Sequence, residues 1–387
     1  MPSYRKFHLN DFPKDKIYIS LDENFRNRFF KKLYNKIGGS TILSGFIKGV
    51  KDEEVRRWKV GIRDIPLWAL FILNNFLKKD KFTIEELEKN IFAYKTKSSR
   101  KMVHNPKLPL VEDERLVRTV THIICDGYDG GKNHPPAYFN TESTLVDNFS
   151  KDLELFGQIN ITRRIRIPKE GNKPLYSVEF PKVISHVLRH IYKIKFGSKS
   201  SRLPKNFFFL SIKLANQIVK SFADDESHVG ESFIIFVSSN RKLLNDLKKL
   251  IKLKLYFLYP FLTGIKYLSS AKAYNFSLKR GGLTFFYKKV NFDHPEKRKI
   301  LNFLINRKST PGNKFKEGEA KNLIFEILSK GPSSSIELSQ KLGIKPKNIR
   351  YHLYNLKEEG KIIDKKEKIY RSKIWSVKNA QTNMLHQ

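Results

Sequence analysis

The sequence predicts an α+β protein with an internally duplicated centre. Two observations carry this. First, Thr119–Gly127, followed by Tyr138–Thr141, Leu145–Phe149 and Leu155–Gly157, has a counterpart in Val219–Ser227, Val237–Asn240 and Leu243–Leu247. Each copy reads as an apolar helix ending in one acid, then a strand, a polar Asn and another helix. The acids, Asp126 and Glu226, lie 226 − 126 = 100 residues apart, a period that suits a doubled half-domain. Second, residues 315–377 read as three helices and a hairpin, separate from the doubled unit.

In the first copy Leu116, Val117, Val120, Ile123 and Ile124 recur at helical spacing, and in the second Leu214, Ile218 and Phe222 do so. Ahead of them, residues 1–80 read as a small helical domain. Asn24–Ile37 is amphipathic and stops at Gly38-Gly39, and Thr41–Lys48 is short. Asp52–Lys59 opens with acids, as suits a helix N-terminus. The run Gly61–Leu67 and the apolar helix Trp68–Leu77 follow. This order resembles a repressor-type helix-turn-helix, in which Arg56, Arg57 and Lys59 face DNA; the alternative is an ordinary helical bundle. Residues 81–110 read as a basic linker with one helix, Ile84–Asn90, and an extended crossing through Pro106 and Pro109.

At the other end, Ala320, Leu323, Ile324, Ile327 and Leu328 line a helix face, and Gly331-Pro332 stops it. Ile336–Leu342 is short, and Pro346 suits the first turn of the next helix, where its missing N–H is no loss. That helix turns Ile349, Leu353 and Leu356 inward and leaves Lys347, Arg350, Tyr351, His352 and Asn355 for a groove. The hairpin 361–375 offers Lys365, Lys366, Lys368 and Arg371 to phosphates. The spacing resembles a winged helix-turn-helix. Residues 378–387 read as a disordered tail.

The chain has 387 residues and a formal net charge of +37, from 75 Lys and Arg against 38 Asp and Glu. Codon bias contributes part of this excess. The remainder calls for a polyanionic partner. No apolar run of about 18 residues predicts a membrane span, and no apolar signal core follows Met1. One cysteine, Cys125, excludes internal disulfides and Cys-based zinc sites. The histidines show no metal spacing. Gly127–Asn133 lacks the glycine spacing, the hydroxyl residue and the preceding strand of a phosphate loop. The chain ends carry no intein splice residues, which predicts a free-standing protein, and the simple reading is a prokaryotic cytoplasm.

The doubled motif resembles the LAGLIDADG homing endonucleases in their single-chain, two-motif form. The resemblance spans residues 110–305, with halves 111–200 and 201–307. Arg202–Pro204 resembles the family's approach to the second motif, Tyr176–Pro181 a late strand of the first half, and Phe286–Lys299 the family's ending. It implies two αββαββα halves related by a pseudo-two-fold axis, their sheets forming a saddle on the DNA major groove. It also implies a monomer that is internally a pseudo-dimer. Asp126 and Glu226 then hold Mg²⁺, or another divalent cation, over the scissile phosphates as catalytic acids and metal ligands. Thr121 and Ser221, the small third residues, sit where the motif helices cross. His122, Ile124 and Ser227 depart from the pattern. Asp224 reads as an outer-shell or capping group, Asp225 is a further acid that could help, and no catalytic lysine is placed.

The expected function is therefore metal-dependent, site-specific cleavage of double-stranded DNA. The rival is a DNA-binding regulator or maturase-like protein that kept the scaffold and lost cleavage, which the flanking helix-turn-helix units favour. An RNA-binding splicing factor ranks third, because winged helices more often read duplex DNA.

Overall fold

The computed structural model describes residues 4–97, 99, 101–131, 134–167, 173–306, 318–369 and 372–378. The chain divides into two compact units. One holds residues up to 228 together with 233–297, and the other holds 298 onward with the short segment 229–232.

The first unit contains the doubled fold, save Val229 at the end of one strand. Its first half runs α1 (Glu114–Asp126), β1 (Gly127–Tyr128), β2 (Ala137–Asn140), α2 (Ser143–Asp152), β3 (Thr162–Arg166), β4 (Leu175–Glu179) and α3 (Lys182–Tyr192). The second repeats it as α4 (Ile212–Glu226), β5 (Ser227–Val229), β6 (Phe233–Ser238), α5 (Arg241–Lys254), β7 (Lys266–Leu268), β8 (Ala273–Lys279) and α6 (Arg280–Lys289). The sheets have orders β3-β4-β2-β1 and β5-β6-β8-β7. Counted within each half, both place the fourth strand between the second and the third. This shared element and strand order makes the molecule an α+β protein with two αββαββα halves. A small strand, Gln158–Ile159, is added in the first half only.

Local chemistry explains the elements. Asp113 caps α1 by accepting from the Leu116 amide at 3.0 Å, and Ser211 caps α4 through Leu214. Strand β6 buries every second residue, placing Ile234 and Phe236 under the sheet. Phe236 stacks on Phe276 of β8 at 4.9 Å. Arg202, in the approach to α4, grips Asp246 of α5 with two hydrogen bonds, while the Leu203 amide donates to the same carboxylate.

The N-terminal helices match the expectation, at Glu23–Ile37, Ser40–Phe46, Asp52–Val60 and Leu67–Phe76. Residues 81–110 correct it. The helix Ile84–Lys89 is present, but the crossing is not a surface linker. Ile91–Lys95 is the central strand of a five-stranded sheet, between Tyr18–Leu21 and Val103–His104. Ile91, Ala93 and Tyr94 are buried. The outermost strand of that sheet is Gln158–Ile159, so backbone hydrogen bonds join the N-terminal region to the first half. Leu110–Val111 pairs with Lys6–Phe7.

The second unit holds α7 (Glu319–Ser329), β9 (Ser333–Ser334), α8 (Ser335–Leu342), α9 (Pro346–Glu358), β10 (Ile362–Ile369) and β11 (Ser372–Val377), with sheet order β9-β11-β10. Ile324, Leu328, Leu338, Ile349, Leu353, Leu356, Ile362 and Trp375 form its core. Arg371 and the expected tail beyond Lys378 lie outside the described residues. Among the described residues no helix is long and apolar enough to cross a membrane.

Candidate active site at the ends of two packed helices

Helices α1 and α4 pack against each other, and polar contacts run along their seam. Gln217 reaches Glu114 at 3.2 Å and Arg118 at 3.5 Å, and Lys213 pairs with Glu114 at 2.5 Å. Thr121 and Ser221 are fully buried. The Thr121 hydroxyl donates back to the Val117 carbonyl at 2.7 Å, whereas the Ser221 hydroxyl has no hydrogen-bond partner. Close helix approach favours such short side chains.

Both helices end at the expected acids. Behind Asp126, Gly127 has no space for a side chain, because a Cβ there would stand 2.4 Å from the Ile123 carbonyl oxygen. At the matching position Ser227 turns its hydroxyl to the Ala223 carbonyl at 2.5 Å, which absorbs the departure from glycine. The free carbonyls at the two helix ends are met differently. The amides of Gly197 and Ser198 donate to Ile123 and Cys125 at the end of α1. The ammonium of Lys297 donates to Ala223 and Asp224 at the end of α4. Asp224 accepts from the amides of Asp293 and His294, so it acts as a cap.

A carboxylate cluster results. Burial first, then the charges of Asp225 and Glu226, push the Asp126 carboxyl well above its ordinary range; His122 and Lys297 oppose this. Burial pushes Glu226 up to about 7, against a hydrogen bond from Ser198. Asp225 sits between these acids and the first sheet. It accepts from the Tyr138 hydroxyl at 2.6 Å and the Asn140 amide at 3.2 Å, and it faces His122 Nδ1 at 2.8 Å. Burial disfavours the imidazolium of His122, but Asp225, with smaller help from Asp224 and Asp152, raises the ring above its usual range. His122 also packs beside Tyr138, with centroids 5.1 Å apart. The unusual His122 in the motif is thus half of a contact between the two copies.

Sequence reasoning left His122, Tyr138, Asn140, Ser198 and Lys297 without a role, and named Asp225 only in passing. The available signal was a histidine in an apolar motif helix, matched by an extra acid one residue before Glu226.

Among the described residues, no group of three or more His, Cys, Asp or Glu is arranged to hold a metal ion. Two carboxylates nonetheless suit Mg²⁺, which commonly takes one or two protein carboxylates and completes its shell with water and substrate phosphate. Two half-buried acids whose charged forms are disfavoured chiefly by burial are also a place where a dication is favourable.

Comparison with known proteins adds the following. Residues 318–363 match the family described as bacterial regulatory protein, arsR family. This marks a helix-turn-helix in the second unit. No curated protein matches the chain. Among solved structures, I-DmoI in complex with DNA and Mn aligns at 12% identity over 46% of this chain and 96% of that one, with a TM-score of 0.33. The homing endonuclease I-WcaI bound to its DNA recognition sequence aligns at 13% identity over 49% of this chain and 86% of that one, with a TM-score of 0.36. Likenesses this loose leave the fold to be argued from the doubled element order itself.

The candidate DNA-facing residues fall as follows. Arg56 and Lys59 are exposed on the helix Asp52–Val60 and Arg57 is half-buried. Arg56 and Arg57 pair with Asp52 and Glu53 one turn back, and Lys59 lies over the Tyr34 ring at 4.5 Å. On α9, Lys347, Arg350 and Tyr351 are exposed, and His352 and Asn355 are half-buried, opposite the buried Ile349, Leu353 and Leu356. Lys365, Lys366 and Lys368 lie on β10. Strand β3, with Arg163, Arg164 and Arg166, is exposed almost throughout; Arg163 pairs with Asp147 and Arg164 with Glu179, and the sequence reading did not single this edge out.

Proposed function

We propose that this chain is a double-stranded DNA endonuclease of the LAGLIDADG homing type, with a helical N-terminal region and a C-terminal winged helix as further DNA-binding parts. The observation that carries the reading is the matched placement of Asp126 and Glu226. Each ends a matched helix of the doubled fold, the helices pack together, and each acid is buried enough to resist ionisation. Such a pair has little value as structure, since burying like charges is costly. It gains value when a divalent cation and a phosphodiester arrive together.

In this reading Asp126 and Glu226 hold Mg²⁺ or another divalent cation. When bound, that ion supplies activation of water and stabilisation of the leaving oxygen. The chain's own residues orient the site. Thr121 and Ser221 let the helices approach, the amides of 197 and 198 and the Lys297 ammonium fix their ends, and Arg163, Arg164 and Arg166 attract the DNA backbone. The arginines position the duplex through phosphates, while base edges supply specificity.

A second reading, a DNA-binding regulator without cleavage, is favoured by the arsR-type match at 318–363. One experiment separates the two. The protein is incubated with Mg²⁺ and the genomic locus joined across its own reading frame. A defined double-strand break is expected. Asp126→Asn and Glu226→Gln should each abolish it while DNA binding stays nearly intact. Tight binding without any break by the unaltered protein would establish the regulator.

A further inference from the structure

The two halves of the site are built from the same positions and wired differently. Asn140 and Asn240 lie 100 residues apart at the same place in each half. Each turns its carbonyl oxygen to the start of the following helix: Asn140 accepts from the Glu142 amide at 3.0 Å, and Asn240 from the Lys242 amide at 3.0 Å. Their amide groups diverge. Asn240 Nδ2 donates to the carbonyls of Ser198 and Ser201 at 3.0 and 2.7 Å. Asn140 Nδ2 instead faces Asp225 at 3.2 Å, the Tyr138 hydroxyl at 3.1 Å and Asp126 at 3.5 Å. The groups that make the difference are His122, Asp225 and Tyr138. Their counterparts at the symmetry-related positions are Phe222, Cys125 and Ser238, none of which carries a charge. His122 and Asp225 therefore form a hydrogen-bonded charged pair at positions whose counterparts are uncharged.

We propose that Asp225 is a positioning residue for one half of the site: clamped by His122 and Tyr138, it holds the Asn140 amide against Asp126, so that the two acids serve their DNA strands unequally. Asp225 is suited to this role and not to ligating an ion, because hydrogen-bond partners already surround both of its oxygens. Glu226 has instead a hydrogen bond from Ser198 and the nearby charge of Lys297. The positioning claim stands on the structure alone; its consequence for the strands rests on the endonuclease reading.

The test uses the full-length protein and a variant with a precedent inside the fold. His122→Phe/Asp225→Cys places at this pair the residues that the counterpart positions already carry. Asp225→Asn is the smaller change. The first readout is the side-chain amide resonance of Asn140 in protein labelled with ¹⁵N-asparagine, assigned by its loss in Asn140→Ala. Both variants should move this resonance and leave that of Asn240 in place. An unmoved Asn140 resonance overturns the proposal. The second readout is strand-resolved cutting of supercoiled DNA carrying the joined locus. Both variants should slow one strand by roughly tenfold or more, the size expected when one charge-assisted hydrogen bond is removed, so that nicked circles accumulate. Equal slowing of both strands, or none, overturns the unequal service of the acids. If the unaltered protein cuts neither strand, the endonuclease reading falls, and the Asn140 resonance still decides whether Asp225 positions the amide.

Discussion

Glu226 retains its proton in the folded protein up to about pH 7, against an ordinary value of 4.5. Between those values the folded state holds a proton that the unfolded chain has lost, so stability falls as pH rises through this window. Below it the effect vanishes, because both states are protonated. Glu226→Gln should therefore stabilise the metal-free protein at about pH 8 and leave it unchanged near pH 4. A tenfold change in proton affinity is worth about 1.4 kcal/mol, and partial exposure of the carboxyl reduces that, so the gain is on the order of 1–3 kcal/mol. Urea unfolding with a chelator present, at both pH values, measures it. A gain of equal size at both would trace it to packing and not to charge. A divalent cation offsets the same cost of burying the charged carboxyl, so Mg²⁺ should stabilise the unaltered protein more than the Gln variant.

At the scale of the element, the seam of α1 and α4 sets the spacing of the acids. Leucine at 121 or 221 would have to fit where both present side chains are fully buried, and overpacking of this kind costs about 1–3 kcal/mol. Thr121→Leu and Ser221→Leu should each lower the thermal midpoint. Ser221→Ala should do the opposite or nothing, because it removes a buried hydroxyl with no partner, which is itself costly to bury. Unchanged melting of both leucine variants would show that the helices do not meet there. These helices were legible in the sequence because a repeat states the same pattern twice, and both helix ends fall at the acids that pattern marked. The strand Ile91–Lys95 was not legible. It is five residues long, buries two neighbours in a row, and stands beside a run of lysines and prolines that reads as surface. The tie between His122 and Asp225 was hidden for another reason. Its partners lie 103 residues apart and meet only once the two halves are folded against each other.

At the scale of the whole molecule, the net charge of +37 gives every cationic face some affinity for DNA, so binding alone says little about which parts matter. Salt dependence separates them. Every phosphate that the protein no longer neutralises lowers the slope of log K against log salt by about one. The second unit carries Lys347 and Arg350 exposed on α9 and further lysines on β10. Deleting residues 310–387 should therefore flatten the slope by roughly two to four, the number of phosphates that such a helix and hairpin could engage. Arg350→Ala should act differently. Its side chain is exposed on α9, on the flank of the buried Ile349 and Leu353, and pairs with Glu231, so in the DNA-reading proposal it must exchange that carboxylate for a base edge. Removing a two-pronged hydrogen bond to guanine would cost on the order of 1–3 kcal/mol on the preferred duplex and little on a scrambled one. Isotherms across a salt series, on both duplexes, give slope and specificity together. A deletion that leaves both unchanged would remove the second unit from DNA recognition, and its arsR-type helix-turn-helix would then have to serve another partner.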